Sequence, residues 1–346
     1  MNRKQKSAYK KLLDAWTPNP ESGNPIGCIT TTYTFSASFF EEECLARFLQ
    51  METDPRQGAK LYYIEREEKL SGLVGVSVLV DRDHCSGKHN LRWDIIPVNV
   101  PGNGRLHSKI SILIWEKHVR IIVASANLTE TGYRLNFEVF GVLDFNTKSE
   151  LSPELLVEIL SFLRKVSSYS SGYSRTSSAV QKRLIDQIEW IESFISESMT
   201  DEEPSSSSTV KFIPTGPDYP DIFTSLRDSW PSAPLPSKAW VFSPFFDEHY
   251  FSSNDAHFPS SEIWTCLKKR NAIAVNYLVD AEWIDDEGRY HIHAPEYLKD
   301  VKPQNRNKAD LWFSRVDLTT EDHENRPYHA KGIWLEDSRF AQYLIG

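Results

Sequence analysis

The sequence has little of what builds disulfide-rich or metal-stapled proteins. Its 346 residues include only four cysteines, which are far apart and show no Cys-x-x-Cys spacing. This pattern argues against a disulfide framework and against a cysteine zinc site, and it favours free thiols in a reducing cytoplasm. The four are Cys28, Cys44, Cys85 and Cys266.

Long apolar runs and an excess of basic charge are missing as well. No stretch approaches the roughly 18 consecutive apolar residues of a membrane-spanning helix, and no apolar signal core follows the basic start of the sequence. Acidic residues outnumber basic ones by 48 to 39, which gives a net charge of −9. This balance argues against a general nucleic-acid coat but leaves room for a local basic groove. We therefore expect a cytoplasmic protein with no membrane partner.

Two Ser-rich stretches interrupt the chain. They cover residues 167–178 and 196–209 and are poor in apolar residues, as is typical of loops and linkers. The segment between them, and the one before the first stretch, repeat apolar residues at helical spacing. The sequence thus predicts three regions, namely a first lobe over 1–150, a helical insert over 151–209 and a second lobe over 210–346.

The two predicted lobes carry the same landmarks in the same order. Each begins with a β-branched and aromatic strand that leads through Phe-Ser into Phe-Phe and two acidic residues. Each continues with an apolar strand that ends in Leu-Val-Asp, at Asp81 and Asp280, and then reaches another strand and a His-x-Lys. Such repetition indicates an internal duplication. Because strands alternate with helices, we predict an α/β fold of two similar lobes, each a mixed sheet flanked by helices.

The repeated His-x-Lys sets an imidazole beside an ammonium group. In His107-Ser-Lys109 and His329-Ala-Lys331, strand alternation puts both side chains on one face. An apolar strand follows the first copy, and its return strand ends near Asn127, so a hairpin would bring that amide beside the motif. A nucleophile or acid, a fixed cation and an amide donor together suit a phosphate group.

A further polar pair lies downstream of the first motif. Asn136 and Glu138 alternate onto one face of an extended segment. We expect a buried Glu138 carboxylate to hydrogen-bond the second ring nitrogen of His107, which would fix the orientation and tautomer of that ring.

This pattern resembles the phospholipase D superfamily, whose motif is His-x-Lys, an Asp about four residues later, and then Gly-Ser-x-Asn. Both predicted lobes take part in the resemblance, and the Asn-x-Glu that follows the first copy is similar to the bacterial nuclease branch. The resemblance implies a set of catalytic and supporting residues. The catalytic residues are His107, Lys109, Asn127, Glu138, His329 and Lys331, and the supporting ones are Ser125, Asn136 and Glu336.

The sequence departs from the family pattern at three places. The expected Asp is Ile114 in the first copy, a loss that also occurs in the tyrosyl-DNA phosphodiesterase branch, and the matching residue in the second copy is Glu336. The Gly of the first Gly-Ser-x-Asn is Ala124. The second Gly-Ser-x-Asn would begin at Gly346, so we expect the chain to be part of a longer protein.

The resemblance implies two-step phosphodiester transfer without a metal or cofactor. Two half-sites meet, and one histidine attacks phosphorus while the other protonates the leaving oxygen and later activates water. We assign His107 as the nucleophile and His329 as the general acid, although the sequence leaves the reverse order open. The expected substrate is nucleic acid, DNA first, with a role in repair, restriction or defence.

Two other functions stay open on the sequence alone. A lipid-directed phospholipase D would present an exposed apolar rim around the site. A catalytically inactive nucleic-acid-binding module is favoured if the protein truly ends at Gly346.

Overall fold

A computed structural model gives the structure of the chain. It describes residues 11–54, 58–85, 93–170, 175–199, 209–231, 234–246, 259–268, 272–284, 288–303, 308–316 and 326–346, except for the side chains of 59 and 175–178. Part of the first Ser-rich stretch and most of the second therefore lie outside the described residues. The chain divides into two compact units. The first unit is Met1–Arg134 with Phe140–Phe212, and the second is Leu135–Val139 with Ile213–Gly346. The predicted three-region boundaries stay a prediction.

A mixed sheet forms the centre of the first unit. Its six described strands are β1 (Pro25–Thr32), β2 (Gly75–Asp81), β3 (Asp94–Val98), β4 (Ile110–Trp115), β5 (His118–Ala124) and β6 (Phe140–Phe145). They lie in the order β3-β2-β1-β4-β5-β6, with β1, β2 and β3 parallel and the remaining pairs antiparallel. The strands are rich in Val and Ile, which suit a sheet that is buried on both faces.

Helices cover both faces of this sheet. On one face α1 (Ala37–Phe39) continues through a π-helical stretch, Phe40–Leu45, into α2 (Ala46–Phe48), and α3 (Ala59–Ser71) follows. Their apolar side chains share one core with the sheet. The other face meets α4 (Pro153–Ser168) and α5 (Arg175–Ser198).

Local sequence explains where α4 begins and how α5 packs. The Ser152 hydroxyl accepts a hydrogen bond from the Glu154 backbone N–H, and Pro153 takes the first helical position. On α5, Gln187 donates to the Ser77 hydroxyl at 2.9 Å and packs over Gly27, where a Cβ would lie only 3.1 Å from the glutamine oxygen. Small residues on the sheet thus make room for a buried helix side chain.

A second mixed sheet forms the centre of the second unit. Its described strands are β7 (Lys238–Phe242), β8 (Ile273–Val279), β11 (Ala309–Arg315), β12 (Gly332–Glu336) and β13 (Ala341–Ile345), while β9 (Ala281–Ile284) and β10 (Arg289–Ile292) form a separate hairpin. The sheet order is β11-β8-β7-β12-β13. The helices α6 (Ile222–Ser229) and α7 (Pro259–Thr265) share a core with one of its faces.

The two sheets confirm the predicted internal duplication. Strands β7, β8, β11, β12 and β13 repeat the order and the directions of β1, β2, β3, β4 and β5. In both units a His-x-Lys comes directly before the strand that pairs antiparallel with the first one, β4 in one case and β12 in the other. The predicted α/β fold of two similar mixed sheets is therefore confirmed.

The two sheets differ on the face that carries α4 and α5 in the first unit. There, Ile112 and Ile121 are fully buried neighbours. The register-matched neighbours on the second sheet are Trp334 and Tyr343, and Tyr343 is exposed. Farther along the same row, Trp312 is 60% exposed.

Among the helices in the described ranges, none is long and apolar enough to cross a membrane.

Candidate active site

The first His-x-Lys enters strand β4 with its lysine packed inward. Lys109 is 7% exposed, and its ammonium donates a hydrogen bond to the backbone oxygen of His107 at 2.8 Å. The same Nζ lies 3.2 Å from Nδ1 and 3.4 Å from Nε2 of the His107 ring, which is itself exposed. The structure therefore places a fixed cation at an accessible imidazole, as the two-residue spacing predicted.

Side chains from the neighbouring strand and turn support this motif. The Thr31 hydroxyl accepts hydrogen bonds from the Ser108 hydroxyl and the Ile110 backbone N–H, each at 3.0 Å, which pins the motif to β1. The ring of Tyr33 lies 5.1 Å from His107 and 4.1 Å from His84, measured between centroids. The His107 ring is thus one end of a row of three rings.

The predicted hairpin of β4 and β5 forms and leads to Asn127. The Asn127 side-chain oxygen accepts from the Thr34 backbone N–H at 3.4 Å, one residue after Tyr33. The following turn packs tightly, since a Cβ on Gly132 would lie 2.4 Å from the Asn127 backbone oxygen. Ser125, two residues before Asn127, is fully buried. The hairpin therefore carries Asn127 to the end of β1 where the aromatic row begins.

The second His-x-Lys has a carboxylate beside its histidine. Nδ1 of His329 lies 2.6 Å from Oε1 of Glu138, whose side chain is only 5% exposed. The ring is not oriented for an aligned hydrogen bond to that oxygen, so the contact is a close ion pair when the ring is protonated. Asn136 donates to the same Oε1 at 3.1 Å, and Lys331 Nζ lies 3.4 Å from Nε2 of the ring.

Backbone pairing brings this carboxylate to the second motif. The Phe137 backbone N–H donates to Pro327 at 2.8 Å, and the His329 backbone N–H donates to Phe137 at 3.0 Å. Phe137 and Tyr328 form an isolated parallel bridge. Because side chains alternate along this short pairing, Glu138 faces the histidine that follows Tyr328.

The Lys331 ammonium sits in a partly apolar setting. Burial lowers the pKa of Lys331 from its ordinary value, and the nearby negative charge of Glu138 works in the opposite direction. Its Nζ also lies 5.1 Å from the centroid of the Phe245 ring, and that ring packs edge to face on His329 at 5.4 Å. A cation held against a ring face is partly freed of water and keeps a fixed position.

Two sequence expectations are corrected by these contacts. We expected Glu138 to bond the histidine of its own repeat, His107, but the structure places it against His329 of the other repeat. Glu336 lies at the far end of β12, about 16 Å along the strand from Lys331. There it contacts the ammonium of Lys238 at 3.4 Å and accepts from the Trp334 indole at 3.1 Å, so its carboxylate is engaged away from the motif.

Two aromatic residues of these half-sites, Tyr33 and Phe245, are not among the predicted site residues. Each follows the first strand of its repeat, and Phe245 belongs to the repeated Phe-Phe landmark. His84 lies after β2 in a short turn, which begins where the Asp81 carboxylate accepts from the Asp83 N–H. Across the described residues, no group of three or more His, Cys, Asp or Glu side chains is placed to hold a metal ion.

Comparison with known proteins gives structural similarity only. No known family matches the sequence, and no curated protein matches it. The structure is similar to a point mutant of yeast tyrosyl-DNA phosphodiesterase 1, with 11% identity, a TM-score of 0.49 and coverage of 93% of this chain and 74% of that chain. Another structure of the yeast enzyme gives 11% identity, a TM-score of 0.45 and coverages of 90% and 73%.

A polyphosphate kinase from Porphyromonas gingivalis is also similar. Its identity is 12%, its TM-score is 0.44, and the alignment covers 96% of this chain and 39% of the kinase. The yeast enzyme and this kinase are both members of the phospholipase D superfamily that the two motifs resemble.

Proposed function

We propose that this chain is a metal-independent phosphodiesterase that acts on nucleic acid, DNA first, through a phosphohistidine intermediate. The observation that carries the proposal is the same His–Lys pair at the same point of two topologically equivalent sheets. In each pair the lysine Nζ lies within 3.4 Å of a ring nitrogen of its histidine. A phosphate bound by such a lysine would lie next to a nucleophile or an acid.

The proposed reaction has two displacements at phosphorus. In the first, a ring nitrogen of His107 attacks and forms a P–N bond, the P–O bond to the leaving group breaks, and His329 gives its proton to the leaving oxygen. In the second, His329 takes a proton from water, the oxygen of that water attacks phosphorus, and the P–N bond breaks. Lys109, Lys331 and Asn127 bind the non-bridging oxygens, and the enzyme ends as it began.

The contacts of the two histidines support this division of roles. The Glu138 carboxylate lies 2.6 Å from Nδ1 of His329 and holds that ring in place, as a carboxylate does for a histidine that transfers protons. The His107 ring is exposed, so a substrate phosphorus can reach its nitrogens, which suits a nucleophile. We therefore take His107 as the nucleophile and His329 as the general acid.

Nucleic acid and a cytoplasmic location belong to the proposal. The Asn136–Glu138 pair has the spacing that resembles the nuclease branch, and its hydrogen bond supports the second motif. All four cysteines are free thiols and three of them are buried, which suits a reducing compartment.

The experiment is cleavage of end-labelled single- and double-stranded DNA by the full chain in excess EDTA, with His107→Ala as the control. We expect EDTA-resistant cleavage, its loss in the variant, and an acid-labile, alkali-stable phosphoprotein with the wild type. A parallel reaction offers phosphatidylcholine vesicles. Lipid cleavage without DNA cleavage would move the assignment to a phospholipase, and cleavage that EDTA abolishes would overturn the metal-independent mechanism.

A further inference from the structure

An exposed aromatic ring lies against the second His-x-Lys. Phe245 is 58% exposed, a large fraction for an apolar residue. Its ring nevertheless contacts both reactive groups, since its centroid lies 5.4 Å from that of His329 and 5.1 Å from Nζ of Lys331. A ring in this position touches the two side chains that would bind and protonate a phosphodiester, and still presents much of its surface to solvent.

The backbone holds Phe245 in this exposed position. The Ser243 hydroxyl accepts from the Phe245 N–H at 3.1 Å and donates to the Phe245 oxygen at 2.7 Å. The next residue, Phe246, packs its ring on Tyr277, which belongs to the core of the second unit. Phe246 is anchored in the core, and the Ser243 hydroxyl closes the turn. The backbone of this turn therefore holds the Phe245 ring at the surface.

Packing alone does not explain a displayed phenylalanine. The favourable effect of an apolar side chain comes from removing its surface from water, and Phe245 leaves more than half of its surface in water. Its contact with Lys331 uses part of the ring and positions the ammonium. The remaining surface is of the kind that proteins use to stack on flat rings of nucleic acids.

We propose that Phe245 stacks on the base next to the phosphate that Lys331 binds, and so selects phosphodiesters flanked by an unpaired base. This inference rests on the proposed function and adds to it the substrate feature that the site recognises. A base can stack on a protein ring only when it is free of its own duplex stack. The site is therefore expected to prefer single-stranded nucleic acid.

The experiment uses single-stranded hexanucleotides with one natural phosphodiester, the other linkages being uncharged methylphosphonates. In two further substrates the base on one side or the other of the natural linkage is replaced by an abasic residue. The full chain is compared with its Phe245→Ala, Phe245→Leu and Phe245→Trp variants by kcat/KM on each substrate. Because only one linkage can be hydrolysed, the position of cleavage is known.

The expected result is a loss that depends on the base. Phe245→Ala should lose about tenfold in kcat/KM on the intact substrate, the size of one base–aromatic stack, and less than about twofold on one of the two abasic substrates. Phe245→Leu should behave like the alanine variant, and Phe245→Trp should match the wild type. The matched control is Trp312→Ala, which removes an equally exposed ring from the other face of the same sheet.

Two outcomes would overturn the inference, and they can be told apart. Equal losses on the intact and abasic substrates would mean that Phe245 acts only through Lys331 and His329. No cleavage of any hexanucleotide or DNA by the wild type would overturn the proposed function, and this inference with it. Thermal unfolding of each variant checks that a lost activity does not reflect a lost fold.

Discussion

The two His-x-Lys half-sites share a place in the fold but differ in what surrounds each histidine. His107 is exposed and ends a row of rings through Tyr33 and His84. His329 is more enclosed and lies 2.6 Å from a buried carboxylate of Glu138. The duplicated sheets thus keep the strands that place the motif, while the contacts around each histidine differ.

The two lysines also differ in their burial and in the groups that they contact. Lys109 is almost fully buried and donates to the backbone of its own motif at 2.8 Å. Lys331 is less buried and lies against the ring of Phe245, and its pKa is lowered by burial. Lys109 is held by the backbone of its own motif, whereas Lys331 interacts with Glu138 and Phe245, which lie on two other segments.

The largest effect is expected from exchanging the histidines for alanine. On a natural diester, His107→Ala should remove at least about 10⁴-fold of the rate, and His329→Ala about 10²- to 10⁴-fold. On an aryl diester whose leaving group needs no proton, His329→Ala should still give a burst of aryl product equal to the enzyme concentration. Rapid-mixing measurements of the burst test this difference.

The reverse pattern would exchange the two roles. A burst in His107→Ala and none in His329→Ala would make His329 the nucleophile. Loss of the burst in both variants would show that neither histidine is dispensable when the leaving group is good, and would contradict the division of labour drawn from Glu138.

The next largest effect is expected from Glu138→Gln. Glutamine keeps an oxygen for the Asn136 hydrogen bond but removes the negative charge. We expect kcat/KM to fall about 10- to 100-fold, the range for groups that orient a reactive side chain. Since Glu138 raises the pKa of Lys331 against the effect of burial, its loss lets Lys331 release its proton at lower pH. The pKa of Lys331, followed by NMR titration of its side chain, should therefore fall.

A matched variant separates this effect from a general change of charge. Glu130 lies eight residues before Glu138 and is an exposed carboxylate that pairs with Arg134. Glu130→Gln should leave both the rate and the pKa of Lys331 unchanged. An unchanged Lys331 pKa in Glu138→Gln would contradict the coupling between Glu138 and Lys331.

The identity of the Glu138 partner shows where sequence reasoning stops. Period-two alternation placed His107 with Lys109, and two apolar runs separated by a short turn predicted the β4–β5 hairpin, because strand and turn geometry is local. The order of landmarks predicted the duplication, because each strand has its own apolar pattern. The contact of Glu138 with His329 joins segments almost 200 residues apart through two backbone hydrogen bonds, and no local pattern encodes such a pairing.

The aromatic neighbours were missed for a different reason. Tyr33 ends a run of Thr and aromatic residues that is typical of a strand, so its ring looked like an ordinary strand residue, while Phe245 was noted only as part of a repeated landmark. Their function depends on the turn that each strand enters, such as the Ser243 turn at Phe245. Glu336 is the opposite case. The family spacing assigned it to the site, but its position at the end of β12 places its carboxylate away from the motif, next to Lys238.

A smaller effect is expected from Gly132→Ala in the first half-site. The new Cβ would lie 2.4 Å from the backbone oxygen of Asn127, so the turn must shift. We expect a loss of about 1–3 kcal/mol in the free energy of unfolding, together with a higher KM as the Asn127 amide moves. Gly72→Ala is the control, because its nearest neighbouring atom is 3.7 Å away. Equal thermal unfolding of the two variants would contradict a tight Asn127 turn.

The smallest effect is expected from changing Tyr33. This change tests whether the aromatic contact holds the His107 ring in place as the Glu138 carboxylate holds that of His329. Aromatic contacts are worth about 0.5–1.5 kcal/mol, so Tyr33→Ala should lower kcat by about two- to tenfold while Tyr33→Phe keeps the rate. Tyr63→Ala, which removes another exposed ring of the same unit, is the control. If Tyr33→Ala instead costs as much as Glu138→Gln, the two supports are equivalent, and the contrast between the half-sites lies in charge alone. A loss in Tyr33→Phe would assign the function to the hydroxyl and not to the ring that lies between His84 and His107.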